Sequence, residues 1–283
     1  MSMPNSKKST YIIAAISLII IFVTVYFLFI FQKSPKEIKS SEEGSFVEDI
    51  SKIEVSKRPY VTLTPTSDGA EILISIENMD YFDKIEYELT YLADNPQIAG
   101  EKLERGSTGI DVNTKEPKYK KSILLGTASK GTRSPDKGIS DGKLTLHLFK
   151  DDTEYQSETN WDLFNEGAQA VEIDDRSNKF AISLPSLGKD YYIIIADTVG
   201  VPRNGEFDAN KAMLPIYGVF SVAPDFKSNA KITLKVSSDL GNPQLYSFNS
   251  KDEKWQKLVS QFQNSEISAS TSTLSTFVVV SPQ

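Results

Sequence analysis

Ile72, Ile74 and Ile76 alternate with Leu73, Ser75 and Glu77. Ile85, Tyr87, Leu89 and Tyr91 alternate with Glu86, Glu88 and Thr90, and Leu144, Leu146 and Leu148 alternate with Thr145 and His147. A period of two sends successive side chains to opposite faces of a strand, so each segment reads as an antiparallel strand with one buried and one wet face. Turn formers punctuate them: Ser67-Asp68-Gly69, Asp94-Asn95-Pro96, Arg105-Gly106 and Ser140-Asp141-Gly142. After residue 58 no segment carries an apolar stripe at helical spacing, and no strand–helix–strand rhythm emerges. Many short strands with frequent turns predict an all-β chain of antiparallel sandwiches.

About 225 residues follow residue 58, enough for two domains of ordinary size. We expect two tandem sandwiches, residues 59–165 and 166–283, with Trp161, Leu163 and Phe164 closing the first. The second carries strands at 171–173, 180–184, 191–196, 216–222, 230–236, 244–248, 255–258, 266–269 and 277–280, with 198–213 as a loop. The run Tyr191-Tyr-Ile-Ile-Ile-Ala is apolar throughout, which predicts a central strand covered on both faces. Asp239-Leu-Gly-Asn-Pro243 is a strong breaker between two strands. The joint at 164–167 is short, so a modest interface between the two sandwiches is expected rather than free tumbling.

Residues 11–31 contain no charge, and no second stretch resembles them. About 20 apolar residues span a hydrocarbon core roughly 30 Å thick, so this run reads as a transmembrane helix with the lipid bilayer as its partner. Lys7 and Lys8 precede it and Lys33, Lys36 and Lys39 follow, a nearly even flank count. A long C-terminal part translocates largely regardless of charge, which favours a cytoplasmic N-terminus. Residues 1–10 are then a short cytoplasmic tail, and residues 32–58, rich in Lys, Ser and Glu, a stalk with some helix around 46–53. The sandwiches face outward from the cell membrane. The run exceeds the ~7–15 residues of a signal-peptide core, and no small-x-small site follows it at Phe31-Gln32-Lys33, so it is expected to stay on the mature chain.

The 283 residues include 31 Lys plus Arg against 38 Asp plus Glu, a net charge of −7, and the first 44 are themselves net basic. An acidic exposed part lacks the clustered cations that replace phosphate counterions, which argues against nucleic acid. It equally disfavours docking on anionic headgroups. The chain has no cysteine, which excludes disulfides, thiolate metal sites and cysteine nucleophiles.

Searched for chemistry, the chain offers little. His147 is its single histidine and sits at an outward position between Leu146 and Leu148, an ordinary sheet-surface place. Gly126-Thr-Ala-Ser-Lys-Gly131-Thr132-Arg133 mimics a phosphate loop, but Thr132 stands where lysine is needed and no helix pattern follows. The long connection 126–142 reads instead as a hairpin and a contact loop. Asn204, Glu206, Asp208 and Asn210 place oxygens at alternate residues, yet Ala209 and Pro215 stand where a helix–loop–helix calcium site needs glycine and glutamate. Asp151-Asp152 and Asp174-Asp175 read as solvated turn residues. Trp161 and Trp255 read as packing groups rather than sugar platforms. We expect no catalytic residue, no cofactor site and no metal site; an irregular calcium site in the 204–210 loop is the alternative left open, since hard cations accept irregular oxygen cages.

The stretches 230–236, Leu245-Tyr-Ser-Phe248, Trp255-Gln-Lys-Leu258, Ile267-Ser-Ala-Ser-Thr271 and Leu274-Ser-Thr-Phe-Val-Val-Val280 resemble the end of ZU5-like β-sandwich domains on microbial surfaces. Those domains share a strand ending in tyrosine, a tryptophan hairpin and a final Ser-Thr-Phe strand. The segments Ile85-Glu-Tyr-Glu-Leu-Thr-Tyr91 and Leu124-Leu-Gly-Thr127 resemble Ig-like regions of single-pass proteins from candidate-phylum, Patescibacteria-type bacteria. These resemblances imply a sandwich fold and no particular ligand. The expectation is a non-enzymatic, membrane-anchored cell-surface protein that presents its sandwiches to a protein partner or in adhesion. A cell-wall or glycan-binding module and a subunit of an envelope or secretion assembly are the alternatives.

Overall fold

The computed structural model describes residues 47–281 apart from 204, 238–240 and 251. The uncharged run at 11–31 lies outside them; among the described residues no helix is long and apolar enough to cross a membrane. Strands follow in the order β1 (Val47–Asp49), β2 (Tyr60–Pro65), β3 (Glu71–Glu77), β4 (Lys84–Asp94), β5 (Lys102–Val112), β6 (Lys118–Leu124), β7 (Gly126–Ser129), β8 (Thr132–Pro135), β9 (Ser140–Lys150) and β10 (Thr153–Glu166). The second half continues with β11 (Val171–Asp174), β12 (Phe180–Leu184), β13 (Tyr191–Thr198), β14 (Ile216–Ser221), β15 (Ala230–Lys235), β16 (Gln244–Asn249), β17 (Lys254–Lys257), β18 (Ser260–Gln263), β19 (Glu266–Thr271) and β20 (Thr276–Val280). Short 3-10 turns lie at Ile50–Lys52, Val55–Lys57 and Ala209–Lys211. The all-β expectation holds.

Ten strands form one sheet in the order β17-β16-β20-β14-β13-β10-β9-β4-β5, with β1 beside β10. A five-stranded sheet runs β11-β12-β15-β19-β18, a three-stranded sheet runs β2-β3-β6, and β7 pairs with β8. The two smaller sheets cover opposite faces of the large one. Val61, Leu63, Ile72, Ile74, Ile76 and Ile123 of the three-stranded sheet share a core with Ile85, Leu89, Leu144, Leu146 and Trp161 of the large sheet. Ile173, Phe180, Ile182, Ile232, Leu234 and Ile267 of the five-stranded sheet share another with Tyr217, Val219, Phe277 and Val279.

Strand β13 explains why both cores are needed. Ile194 and Ala196 point into the first core, Ile193 and Ile195 into the second, and all four are buried. Alternation on an apolar run thus gives each face its own core, as the expectation of a doubly covered strand required. The expected border at 165/166 falls at the end of β10, whose Trp161–Glu166 segment pairs with Tyr191–Ala196 of β13. One continuous sheet therefore passes through both expected sandwiches, and Phe46–Gln283 group as one compact unit.

Residues 47–58, expected as the end of a stalk, are packed into this unit. β1 lies parallel against Glu154–Gln156 of β10; Ile50 and Ile53 then enter the first core, and Val55 packs in a cluster with Val201, Ile216, Phe248 and Trp255. The buried Arg58 ties the segment down by donating from Nε to the Ile53 carbonyl at 2.8 Å and from Nη2 to that of Ser51 at 3.3 Å. Two expected turns are strand interior. Arg105-Gly106 lies within β5, opposite Thr90 and Tyr91 of β4. Ser140-Asp141-Gly142 opens β9, where a positive φ at Asp141 and a shift of register against Leu92 mark a bulge. Glycine serves here as a seat for an aromatic ring: a Cβ on Gly142 would stand 2.2 Å from the Trp161 ring, and one on Gly109 2.1 Å from the Tyr87 ring. Each ring lies across a bare cross-strand neighbour, Trp161 on Gly142 and Tyr87 on Gly109.

Candidate functional site

Asp162 of β10, Ile195 and Asp197 of β13, and Tyr217 of β14 lie side by side on one face of the large sheet, because Asp162 pairs with Ile195 and Asp197 with Tyr217. The turn joining β11 to β12 folds over this row. Asp175 organises that turn: its Oδ1 accepts from Lys179 N at 2.6 Å and Phe180 N at 2.7 Å. Its Oδ2 accepts from Ser177 N at 3.2 Å, from the Ser177 hydroxyl and from the Tyr217 hydroxyl at 3.3 Å. Phe180 stacks on Tyr217 with centroids 5.0 Å apart, which seats the turn on the sheet.

Arg176 clamps the same turn to β10. Its Nη2 donates to Asp162 Oδ1 at 2.6 Å and to the Trp161 carbonyl at 3.2 Å, and its Nε reaches the same Asp162 oxygen at 3.1 Å. Guanidinium–carboxylate contacts of this kind fix geometry as well as adding energy. Between clamp and sheet lies a cleft of about 410 Å³, with the cis-linked Leu214-Pro215 forming one wall and Lys179 at the rim. A second hollow of about 570 Å³ adjoins it across Leu214, Pro215 and Tyr217 and is lined by Met213, Leu234, Val236 and Val279.

Asp197 differs from its neighbours. Among the described residues its carboxyl makes no hydrogen bond and no ion pair, although it is largely buried and lines the cleft. Burial, reinforced by the charge of Asp175, pushes its pKa up from 3.8 to about 6, while Lys179 pulls the other way. Burial likewise raises the Tyr217 phenol. At neutral pH the cleft therefore holds one ionised carboxylate with free lone pairs, an arrangement that accepts an ammonium or guanidinium group. The other carboxylates are engaged, Asp162 by Arg176 and Asp175 by the turn.

The residues singled out in the sequence are spread over the molecule. His147 is half-buried on the large sheet, with Nδ1 2.7 Å from Glu154 Oε1 on the adjacent strand. The phosphate-loop mimic is the exposed hairpin β7–β8, and a strand follows its glycine. Its turn residues Lys130 and Gly131 both have positive φ, the geometry that a two-residue hairpin turn demands. Asp208 caps a short 3-10 turn by accepting from Asn210 N at 3.0 Å, and Asn210 Oδ1 accepts from Ser56 N at 3.0 Å. Asn204 lies outside the described residues. Among the described residues, no three Asp, Glu or His side chains gather as a metal site.

Asp151 is exposed at the β9–β10 turn, as expected. Asp175 is not a solvated turn residue: it is buried because five donors converge on it. Trp161 and Trp255 are both buried, and Trp255 packs on Phe207 and Phe248 with centroids 5.0 and 5.2 Å away. Sequence reasoning missed Asp162, Arg176, Asp197 and Tyr217. A signal existed at Asp197, a carboxylate set directly after the apolar run Tyr191–Ala196 in the same strand. No family model matches this chain, and no curated protein is found to match it.

Proposed function

We propose that this chain is a non-enzymatic, membrane-anchored cell-surface protein, held by residues 11–31 with its N-terminus in the cytoplasm, whose β unit binds a protein partner. The Asp197 cleft receives a basic side chain of that partner. The observation that carries this reading is the lone carboxylate of Asp197 in a cleft where every other acid is already engaged. Binding a cation uses such a group directly, whereas acid–base catalysis needs a second free group in reach. The neighbouring hollow, walled by Met213, Leu234 and Val236, suits an aliphatic residue next to the basic one, a combination typical of peptides. A glycan platform is supported less. Both tryptophans are buried, and the large apolar side chains that stand exposed, such as Ile110, Val222 and Val259, are aliphatic.

The test is cross-linking of the tagged full-length chain on intact source cells, with mass spectrometry of what is captured. A reproducible protein partner, lost on Asp197→Asn, is the expected result. Capture of wall polymer alone, or protection of the β unit from protease added outside the cell, would overturn the reading.

A further inference from the structure

The Asp197 carboxyl is hemmed in by other acids and by apolar walls. Asp162 pairs with Ile195, two residues before Asp197 on the same face, and Tyr217 lies directly opposite Asp197. The β11–β12 turn contributes Asp175, Arg176 and Lys179, and Leu214 with Pro215 forms the remaining wall. Neither cation serves Asp197. Arg176 is engaged by Asp162, by Asp141 at 3.7 Å and by the Trp161 carbonyl. Among the described residues the Lys179 ammonium makes no ion pair.

Charge decides what the cleft can hold. Asp141, Asp162, Asp175 and Asp197 surround it together with Arg176 and Lys179, and Lys235 lines the adjoining hollow. Four acids against three cations leave one negative charge in excess when Asp197 is ionised, and none when it is protonated. Asp162 and Asp175 do not substitute for it, because they are already engaged by Arg176 and by the donors of the turn. A proton and a basic ligand therefore compete for the lone pairs of one carboxyl group.

We infer that acidification releases the basic partner from this cleft, with Asp197 as its single switch. The inference rests on the reading of the cleft as a cation-binding site. Burial, then the charge of Asp175, place the titration of the empty cleft at about 6, with Lys179 opposing the rise and Asp162 adding to it. The proton is held below that value and lost above it, so the anion is present at neutral pH and largely absent near pH 5. Burial keeps the Tyr217 phenol neutral throughout this range. Lysine and arginine stay charged across it, so the partner's basic group adds no titration of its own. The coupling is reciprocal: a bound cation draws off the Asp197 proton, so binding near pH 6 expels about half a proton.

Calorimetric titration of the full-length chain in detergent micelles tests this, with acetyl-Leu-Lys-amide as probe and acetyl-Leu-norleucine-amide as its uncharged counterpart. Saturable binding of the lysine probe is expected at pH 7.5 and about tenfold weaker binding at pH 5, with the norleucine probe weak at both. Titrations at pH 6 in buffers of different ionisation enthalpy should show the expelled proton. Asp197→Asn should bind weakly at both pH values and expel none. His147→Gln should keep the full pH dependence, which separates the cleft from the chain's single histidine. Lys179→Met removes a cation that opposes the proton and should move the loss of binding to higher pH. Equal affinity at pH 7.5 and pH 5, or a pH dependence that survives Asp197→Asn, would overturn the switch and leave the cation site standing. Absence of lysine-probe binding at pH 7.5 would overturn the reading of the cleft itself, and the switch with it.

Discussion

Asp175 and Asp197 line one cleft and do opposite things to the fold. Asp175 gathers backbone and hydroxyl donors that would otherwise lie unpaired under the β11–β12 turn. Asp175→Ala should therefore cost on the order of 2–4 kcal/mol, because it strands several buried donors at once. Urea unfolding checks this. Asp197 gains nothing from being ionised. Its pKa is about 6 in the fold against 3.8 ordinarily, so the native state holds the proton more tightly than the unfolded chain. The stabilisation that this provides is complete below about 3.8 and is lost as pH rises through about 6. Asp197→Asn should match the parent in stability near pH 4 and exceed it at pH 7.5 by on the order of 1–3 kcal/mol. Thermal melts of both proteins at the two pH values decide it. A residue kept at such a cost is consistent with a binding role, since function and stability commonly conflict at sites.

At the scale of the element, the strands were legible wherever apolar and polar residues alternated. β3, β4, β9 and most strands of the second half lie where the pattern put them, since a period of two is a local property. β5 and β6 were not legible, because their composition is polar and they owe their strand form to β4 and β3 beside them. Arg105-Gly106 shows the same limit: glycine inside a strand looks like a turn until its cross-strand neighbour is known. Gly142 gives the reason such glycines are kept. Gly142→Ala places a methyl group into the Trp161 ring and should destabilise by about 1–3 kcal/mol. The near-ultraviolet circular dichroism of the buried tryptophan should weaken with it. The cleft was less legible than the strands, since Asp162, Arg176, Asp197 and Tyr217 come from four elements and meet only once the sheets have packed.

At the scale of the whole molecule, sequence patterns suggested a border near residue 165, while the cores run across it. Ile194, Ala196, Val199 and Phe220 come from beyond that border and are buried in the core of the first half. A chain ending at residue 165 should therefore fail to fold, and its amide NMR spectrum should be collapsed. The full chain should unfold in one cooperative transition in calorimetry rather than two. Such behaviour was beyond sequence patterning, because the same alternation describes two separate sandwiches and two sandwiches built on one sheet. The parallel seat of β1 has a mechanical consequence. A load applied at Val47 is carried directly into β10 through the Val47–Glu154, Glu48–Tyr155 and Asp49–Gln156 rungs. That strand joins the two halves of the large sheet, so the chain enters the β unit at its middle and not at an outer strand.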